Sequence, residues 1–529
     1  LSLLPGIVMM RSVEPLAGAP VRRLWPAEGT IDRLPEEAAA LRALEGRLAS
    51  VLEGAGYREV VVPLLERDGV WSAADAVRFV DRHGELLGLR PDFTGPVARL
   101  VATRLDGVAD IRVSYRGTVF RDVDTTSGER RQRQQVGFER FASGEASEDV
   151  EIVATARQAL RDVGVDVTVG LGSAAVVHAL LPDAGADVRQ ALDRRDVEGL
   201  PAALRPLLDL HGGLDVIDAA RRLLPERTHA ALDALLAVAR HLGPGVVIDL
   251  AEVRPWSYYT GVVFALYADG AARALAAGGR YDGLTGRFGR ARPAVGATFD
   301  VDAIVALRTT PATTSGPLRI ALPKGRIQKD ILARLGARAP SPEALKTRAL
   351  VVDGADGAWR FLLVKDPDVA AYVERGAADV GVAGLDVLRE GQAGGGGDVL
   401  EPLVCDFGAC RMCLCGRPGF DVRTWSTTRT LRIASKYPRL AREALAARGL
   451  PCEIIELKGS VELAVVADLA DGIVDLVETG ATLRDNGLVV LEELFSSTAR
   501  AVVNRAAFRR RHDEVRAFLA LLSSAPTGS

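Results

Sequence analysis

Asp471-Gly-Ile-Val-Asp-Leu-Val-Glu-Thr-Gly-Ala-Thr-Leu483 reads as an apolar strand ending at Val477, a turn of small residues, and a helix opened by Thr482. Such a turn can aim backbone N–H groups and the hydroxyls of Thr479 and Thr482 at one phosphate, backed by the partial positive charge of a helix start. Asp475 and Glu478 are placed to hold ribose hydroxyls or a metal. Taken alone, the same residues also make an ordinary strand-to-helix turn with a threonine cap. The surrounding chain repeats the pattern. Residues 318–322 predict a strand, 323–326 a turn and 327–335 a helix. Residues 378–383 predict a strand, with a helix after Gly384-Leu-Asp386. A strand at 431–434, a helix over about 438–447 and a strand at 452–457 follow. Alternating strands and helices imply an α/β fold with largely parallel sheets and ligands at the strand carboxyl ends. The distance between the units suggests two lobes around a cleft.

The whole chain has 529 residues, 66 Lys+Arg against 69 Asp+Glu, a formal charge of −3, 48% hydrophobic and 26% charged residues. These are the proportions of a globular protein long enough for several cores. The near-neutral balance argues against wholesale nucleic-acid or membrane-surface binding. No apolar run approaches the ~20 residues of a membrane span, and the opening segment lacks the basic region of a signal peptide. Residues 1–14 read as disorder or a misplaced start, with Met9 or Met10 as the true one. Lysine and cysteine are absent before residue 320. Arg308-Thr-Thr-Pro-Ala-Thr-Thr-Ser-Gly-Pro317 has linker character, so the chain divides into two halves of separate ancestry. The five cysteines fit a reducing, cytoplasmic setting. In a strand, Cys413 and Cys415 would face one side and Cys410 the other, which favours buried thiols over a zinc site; no metal ligand set is expected. The closing helix with Phe508, Val515, Phe518 and Leu519 reads as core.

In the first half, Leu41, Leu44, Leu48, Val51 and Leu52 predict one helix face over 36–55, and Glu59-Val-Val-Val-Pro63 an edge strand. Ser147 predicts a helix cap before Glu148, Asp149 and Glu151. Val165, Val167, Val169 and Leu171 predict a half-buried strand. Long helices between distant strands suggest α+β with a mainly antiparallel sheet. Three segments carry chemistry: 89–99 with Asp92 and Thr94, the donor-rich hairpin 120–139, and 254–261 with 277–284 close behind. Carboxylates suit an ammonium and an arginine fork suits a carboxylate, so together they would suit a free amino acid. A solvated hairpin plus glycine turns explains the same spacing.

These segments resemble, over residues 15–307, histidyl-tRNA synthetase and its non-translating paralogue, the regulatory subunit of ATP phosphoribosyltransferase. The resemblance implies that Asp92, Thr94, Arg121, Gln135, Glu139, Arg254, Tyr258 and Tyr259 surround histidine, with Asp92 in the place of a glutamate. Pro63 is similar to the dimer-interface proline of class II synthetases. Two departures separate synthetase from regulator. Ala303 stands where the third class II motif ends in an ATP-holding arginine, and Glu129 replaces a basic residue. No anticodon-binding domain follows.

Residues 318–505 resemble the catalytic subunit of ATP phosphoribosyltransferase through LRIALPKGRI, LRIASKYPRLA, DGIVDLVETGATLRDNGL and SSTARAVVN. The resemblance implies a two-lobed fold like the periplasmic binding proteins. It implies that Glu478, Thr479, Gly480, Ala481, Thr482 and Leu483 bind the 5-phosphate of phosphoribosyl pyrophosphate, with Asp475 beside its ribose. Lys324, Gly325, Arg326, Arg348 and Glu462 would line the ATP and pyrophosphate region; Lys324, Arg326, Asp475 and Glu478 are the catalytic candidates. Lys365 stands where the family usually has arginine. The expected reaction joins ATP to phosphoribosyl pyrophosphate, with Mg2+ carried by the substrates, as the first step of histidine biosynthesis. Histidine is the expected inhibitor, acting through the first half, and a homo-oligomer, with a tetramer as the size to test, is expected. The expected limits are 15–307 for the regulatory half, 308–317 for the linker and 318–529 for the catalytic half. The rival readings are a tRNA ligase and a two-lobed binding protein without turnover.

Overall fold

In a computed structural model the chain is described at residues 25–71, 75–125, 128–253, 258–309, 316–393, 398–423 and 430–524. Arg254, residues 1–14 and most of the expected linker lie outside the described residues.

Residues before 310 build on a nine-stranded sheet. Its spatial order is Arg58–Glu59, Ile111–Phe120, Gln132–Phe141, Ala294–Asp300, Ala276–Arg280, Val262–Tyr267, Thr168–Ser173, Val246–Asp249 and His211–Gly212. Only the contacts of Arg58–Glu59 with Ile111–Phe120 and of Thr168–Ser173 with Val246–Asp249 are parallel, as the α+β expectation requires. One face packs against helices Pro35–Gly54, Ala146–Asp162 and His229–Leu242. Leu41, Leu44, Leu48 and Leu52 of the first helix are buried there, so its apolar spacing was legible. The opposite face carries Phe93, Tyr115, Tyr259 and Tyr281.

Three local expectations are corrected. The strand expected at 59–63 is paired only at Arg58–Glu59, after which Val60 N donates to Ser114 O and Val61 stands 91% exposed. Helix Ala146–Asp162 begins one residue before Ser147, with Glu145 as its cap; Glu148 instead bends back to accept from Ser143 N, Ser143 Oγ and Gly144 N. Strand Thr168–Ser173 is buried on both faces rather than one. Its second face is glycine: a Cβ on Gly170 would sit 3.2 Å from Arg509 Nε, and one on Gly172 1.9 Å from Glu252 O. The missing side chain at Gly170 makes room for helix Arg505–Arg510 of the other half, and that at Gly172 for the Glu252 backbone of the same half.

Residues after 317 form two sheets. The first runs Val351–Asp353, Trp359–Lys365, Leu318–Lys324, Val380–Gly384, Ala499–Val503, Leu400–Val404; the second runs Cys452–Glu456, Leu431–Ser435, Gly472–Val477, Cys410–Gly416, Val489–Ser497. The chain crosses between them twice, after Val404 and after Ser497. Leu318–Lys324 is parallel to both neighbours and Leu431–Ser435 to both of its own, but the remaining pairs are antiparallel. The sheets are therefore mixed rather than largely parallel. Cys413 and Cys415 share one core and Met412 and Leu414 the other, as strand alternation demands. Cys405, Cys410, Cys413 and Cys415 are buried free thiols. Val515 and Phe518 are core. Phe508, expected to be core alone, also meets the first half, under the Arg195 guanidinium and beside the His211 ring. Among the described residues no helix is long and apolar enough to cross a membrane.

Candidate active site and effector pocket

In the second half, sequence-chosen residues carried by the two sheets come together at Arg326 and Glu478. Leu318–Lys324 delivers Gly325, at φ +125°, and then Arg326. Arg326 Nε lies 3.1 Å from Oε1 of Glu478, which follows a strand of the second sheet, and its Nη1 donates to Gly408 O at 2.8 Å. Burial works against the Arg326 charge, but Cys410, Glu478 and Asp386 outweigh it and hold the guanidinium above its ordinary value. Lys324 is exposed at the end of its strand, in register with Lys365. The chain carrying Arg348 passes the same sheet end, where Leu350 O accepts from Leu363 N. Four cations, Lys324, Arg326, Arg348 and Lys365, thus lie along the chain near one strand end.

In the second sheet, strand Gly472–Val477 carries Asp475 at 9% exposure. Asp475 Oδ2 accepts from Lys436 Nζ at 3.4 Å and Oδ1 from Leu476 N at 2.9 Å. Burial pushes its carboxyl up while Lys436 pulls it down and the neighbouring Glu462 pushes it further up. Glu462 opens helix Glu462–Val466 and so sits beside the ribose-side candidate. The turn after Val477 is open to solvent at Glu478, Thr479, Ala481 and Thr482, with Gly480 at φ +70° capping the five-residue helix Ala481–Asp485. That cap corrects the expected threonine. Leu483 is corrected too: its side chain is in the core with Val477, so only its backbone is left for a ligand.

Several residues around this meeting point were not singled out from sequence. Asp386 is 1% exposed and accepts from Ser497 Oγ at 2.8 Å and from the Tyr437 hydroxyl. A Cβ on Gly384 would lie 2.4 Å from Asp386 Oδ1, so this approach needs glycine. Asp366 has a buried oxygen without a hydrogen-bond partner, and burial together with Asp386 raises its carboxyl to about 6. Asp386, Lys436 and Tyr437 all follow directly on strand ends. The strand-end rule that found Arg326 could have found them.

In the first half, a cavity of about 570 Å³ is lined by Asp92, Thr94, Arg121, Gln135, Glu139, Tyr258 and Tyr259. Glu139 lies at its floor. Its Oε1 accepts from Tyr115 at 3.0 Å and Thr94 at 3.2 Å, and its Oε2 from Tyr281 at 2.6 Å. A Cβ on Gly296 would fall 1.5 Å from Glu139 Oε2, so glycine makes the floor possible. Burial raises Glu139 to about 7 against the pull of those hydroxyls. Burial also raises Asp92, opposed by Arg121 and the Gly95 and Thr94 N–H groups. Gln135 Oε1 is buried and unpaired. Buried carboxylates, hydroxyls and an arginine converge as a free amino acid would need.

Next to it is a smaller cavity of about 270 Å³, lined by Ala303 and Glu129. Glu129 pairs there with Arg133 and Arg273 and lies 3.7 Å from Arg375 of the second half. Despite burial, the Arg273, Arg133 and Arg375 charges hold it below its ordinary value. Cations that could meet a nucleotide phosphate are thus already engaged by the chain's own carboxylate.

Comparison with known proteins defines first a two-part class. A family model described as Histidyl-tRNA synthetase matches residues 29–304, and one described as ATP phosphoribosyltransferase matches residues 365–524. The ATP phosphoribosyltransferase regulatory subunit of Moorella thermoacetica is 35% identical over 362 residues, 62% of this chain and 91% of that protein. The ATP phosphoribosyltransferase of Caldanaerobacter subterraneus subsp. tengcongensis is 44% identical over 199 residues, 37% of this chain and 91% of that protein. A crystal structure of an ATP phosphoribosyltransferase regulatory subunit/histidyl-tRNA synthetase from Bacillus halodurans aligns with a TM-score of 0.49 at 26% identity, over 64% of this chain and 93% of that one. The chain belongs to the ATP phosphoribosyltransferase family, with a histidyl-tRNA synthetase-like regulatory half and a catalytic half in one polypeptide.

Proposed function

We propose that the cleft transfers the phosphoribosyl group of phosphoribosyl pyrophosphate to N1 of the adenine of ATP. The anomeric carbon gains the bond to N1 and loses the bond to pyrophosphate, which leaves with Mg2+ brought in on the substrates. Adenine N1 needs no deprotonation to attack, so the work is positioning and charge neutralisation. In this reading Glu478, Thr479, Gly480, Ala481, Thr482 and the Leu483 backbone hold the 5-phosphate, and Asp475 holds the ribose. Lys324, Gly325, Arg326, Arg348 and Glu462 serve ATP and the leaving group. The observation that carries it is the meeting of both motif sets across the cleft, at Arg326 and Glu478, 3.1 Å apart. The two sheets linked by two crossings support a two-lobed domain of periplasmic-binding-protein type, and the limits 15–307, 308–317 and 318–529 remain our division of the chain.

The cavity around Asp92 and Glu139 is, in the same reading, the seat of inhibitory histidine. Carboxylates hold the ammonium and Arg121 the carboxylate. Ala303 and the Glu129 cluster speak against aminoacylation, since a triphosphate would meet arginines already paired with a carboxylate. Exposed Val61, Leu64, Leu65, Phe79, Val80 and Leu86, on the segments around Pro63, support association into a homo-oligomer. The test is turnover of ATP plus phosphoribosyl pyrophosphate with Mg2+, followed by ultraviolet absorbance with and without histidine. Product formation that falls as histidine rises is expected. Folded protein that makes no product would replace the reading with the binding-protein rival, and a monodisperse monomer by light scattering would remove the oligomer.

A further inference from the structure

The effector cavity is not walled by the regulatory half alone. Arg505 and Asp398, both from the catalytic half, line it together with Asp193. Arg505 Nη2 donates to Asp193 Oδ2 at 2.5 Å and its Nε to Asp398 Oδ1 at 2.6 Å, and Arg505 is only 8% exposed. One guanidinium therefore closes the cavity with one carboxylate from each half.

Arg505 is also two residues beyond the end of an inner strand of the catalytic half's first sheet. Asn504 links the two: its Oδ1 accepts from Ala506 N and Ala507 N, and its Nδ2 donates to Ala272 O of the regulatory half and Val373 O of the catalytic half. The strand itself, Ala499–Val503, runs between Val380–Gly384 and Leu400–Val404. Near its start the fully buried Arg500 pairs with Glu198 of the regulatory half and donates to Thr498 Oγ1. Immediately before it, Ser497 donates to Asp386 in the cleft. A strand of this length spans about 17 Å at roughly 3.4 Å per residue. Hydrogen-bonded on both edges, it is a stiff link between its two ends.

We propose that Arg505 is the positioning residue through which a ligand in the effector cavity acts on the catalytic cleft, with strand Ala499–Val503 as the connector to Ser497 and Asp386. This rests on the reading of the cavity as a histidine site. In the arrangement seen, Asp193 and Asp398 hold Arg505. A ligand carboxylate held at Arg121 adds a second attraction on the Arg505 guanidinium from inside the cavity, and that pull against Asp193 and Asp398 supplies the differential interaction that any allosteric shift requires. Any displacement of Arg505 is felt by Asn504 and hence by the strand.

The full chain and its Arg505→Gln, Arg505→Lys and Asp193→Asn variants are titrated with histidine by calorimetry, and inhibition is measured against each variant's own uninhibited rate. Asp193→Asn keeps the size and hydrogen-bonding capacity of the site, so it stands in if Arg505→Gln does not fold. The expected result is retained histidine binding with an inhibition midpoint raised about tenfold or more, within the ordinary range of coupling strengths. Arg505→Lys, which keeps the charge, recovers part of the inhibition. A merely structural role would weaken binding and inhibition together. Midpoints that still track the binding constants in both Arg505→Gln and Asp193→Asn overturn the proposal. Wild-type protein that binds histidine without inhibition overturns the coupling alone, and wild-type protein that binds none overturns the effector reading as well.

Discussion

At the scale of single residues, Glu139 is the group expected to set the pH response of the proposed effector cavity. Burial raises it to about 7, above the ordinary 4.5. As pH rises from about 4.5 to about 7 the unfolded chain gives up this proton first, so stability falls across that window and then levels. Binding runs the other way, because only the ionised carboxylate attracts an ammonium. Histidine affinity is expected to drop by up to about tenfold per pH unit below 7. Glu139→Gln removes that slope in calorimetry, leaving the contribution of the ligand's own imidazole; an unchanged slope would clear Glu139 of the role. Residues of this kind were legible because resemblance carried their positions, and Asp92, Thr94, Arg121 and Gln135 line the same cavity. Asp193, Asp398 and Arg505 were not. Three charged residues spread over more than 300 positions leave no spacing to read, and only tertiary packing brings them together.

At the scale of elements, the strand-turn-helix of Gly472–Val477 and Ala481–Asp485 depends on Gly480 at φ +70°. Gly480→Ala forces a Cβ into the left-handed region at a cost of roughly 1–2 kcal/mol. Gly419, at φ +78° with open space around it, offers a control carrying the same backbone cost outside the loop. Both variants are expected to lose similar thermal stability, but only Gly480→Ala should raise the KM for phosphoribosyl pyrophosphate, by about tenfold or more if loop N–H contacts to phosphate worth ~1.5 kcal/mol or more are lost. Equal KM values would detach the loop from the phosphate. Elements with strong local signals were readable: the leucine face of helix Pro35–Gly54 and the apolar run into Val477 both stand where their periodicity put them. Strand Thr168–Ser173 was misread as half-buried because glycines at 170 and 172 look like absent burial. They instead receive Arg509 and the Glu252 backbone. Ser147 lost the cap to Glu145 because Glu148 itself satisfies the preceding N–H groups.

At the scale of the whole molecule, the two halves meet through buried ion pairs. Arg509 of the catalytic half is fully enclosed by Asp249 and Glu252 of the regulatory half, Arg510 pairs with Asp269, and Arg389 Nη2 donates to Asp196 Oδ2 at 2.5 Å. Removing one partner of such a buried pair costs about 3–5 kcal/mol. A protease site introduced within residues 310–315 and cut is therefore expected to leave the halves co-eluting on size exclusion, and Asp249→Ala is expected to separate them. Acid gives a second handle. His211 rests against the rings of Phe508 and His512, 5.2 and 4.9 Å away between centroids, and burial together with Arg195 lowers it to about 4. Its ordinary value is 6.5, so the stability it contributes is complete above pH 6.5 and is lost as pH falls toward 4. Asp249, held at about 2 by Arg195 and Arg509 against its burial, stays ionised over that range. The cut protein should therefore begin to dissociate between pH 6.5 and 4, and His211→Asn, which cannot take up that proton, should shift the transition to lower pH. Dissociation unchanged by His211→Asn would place the acid-sensitive group elsewhere in the interface.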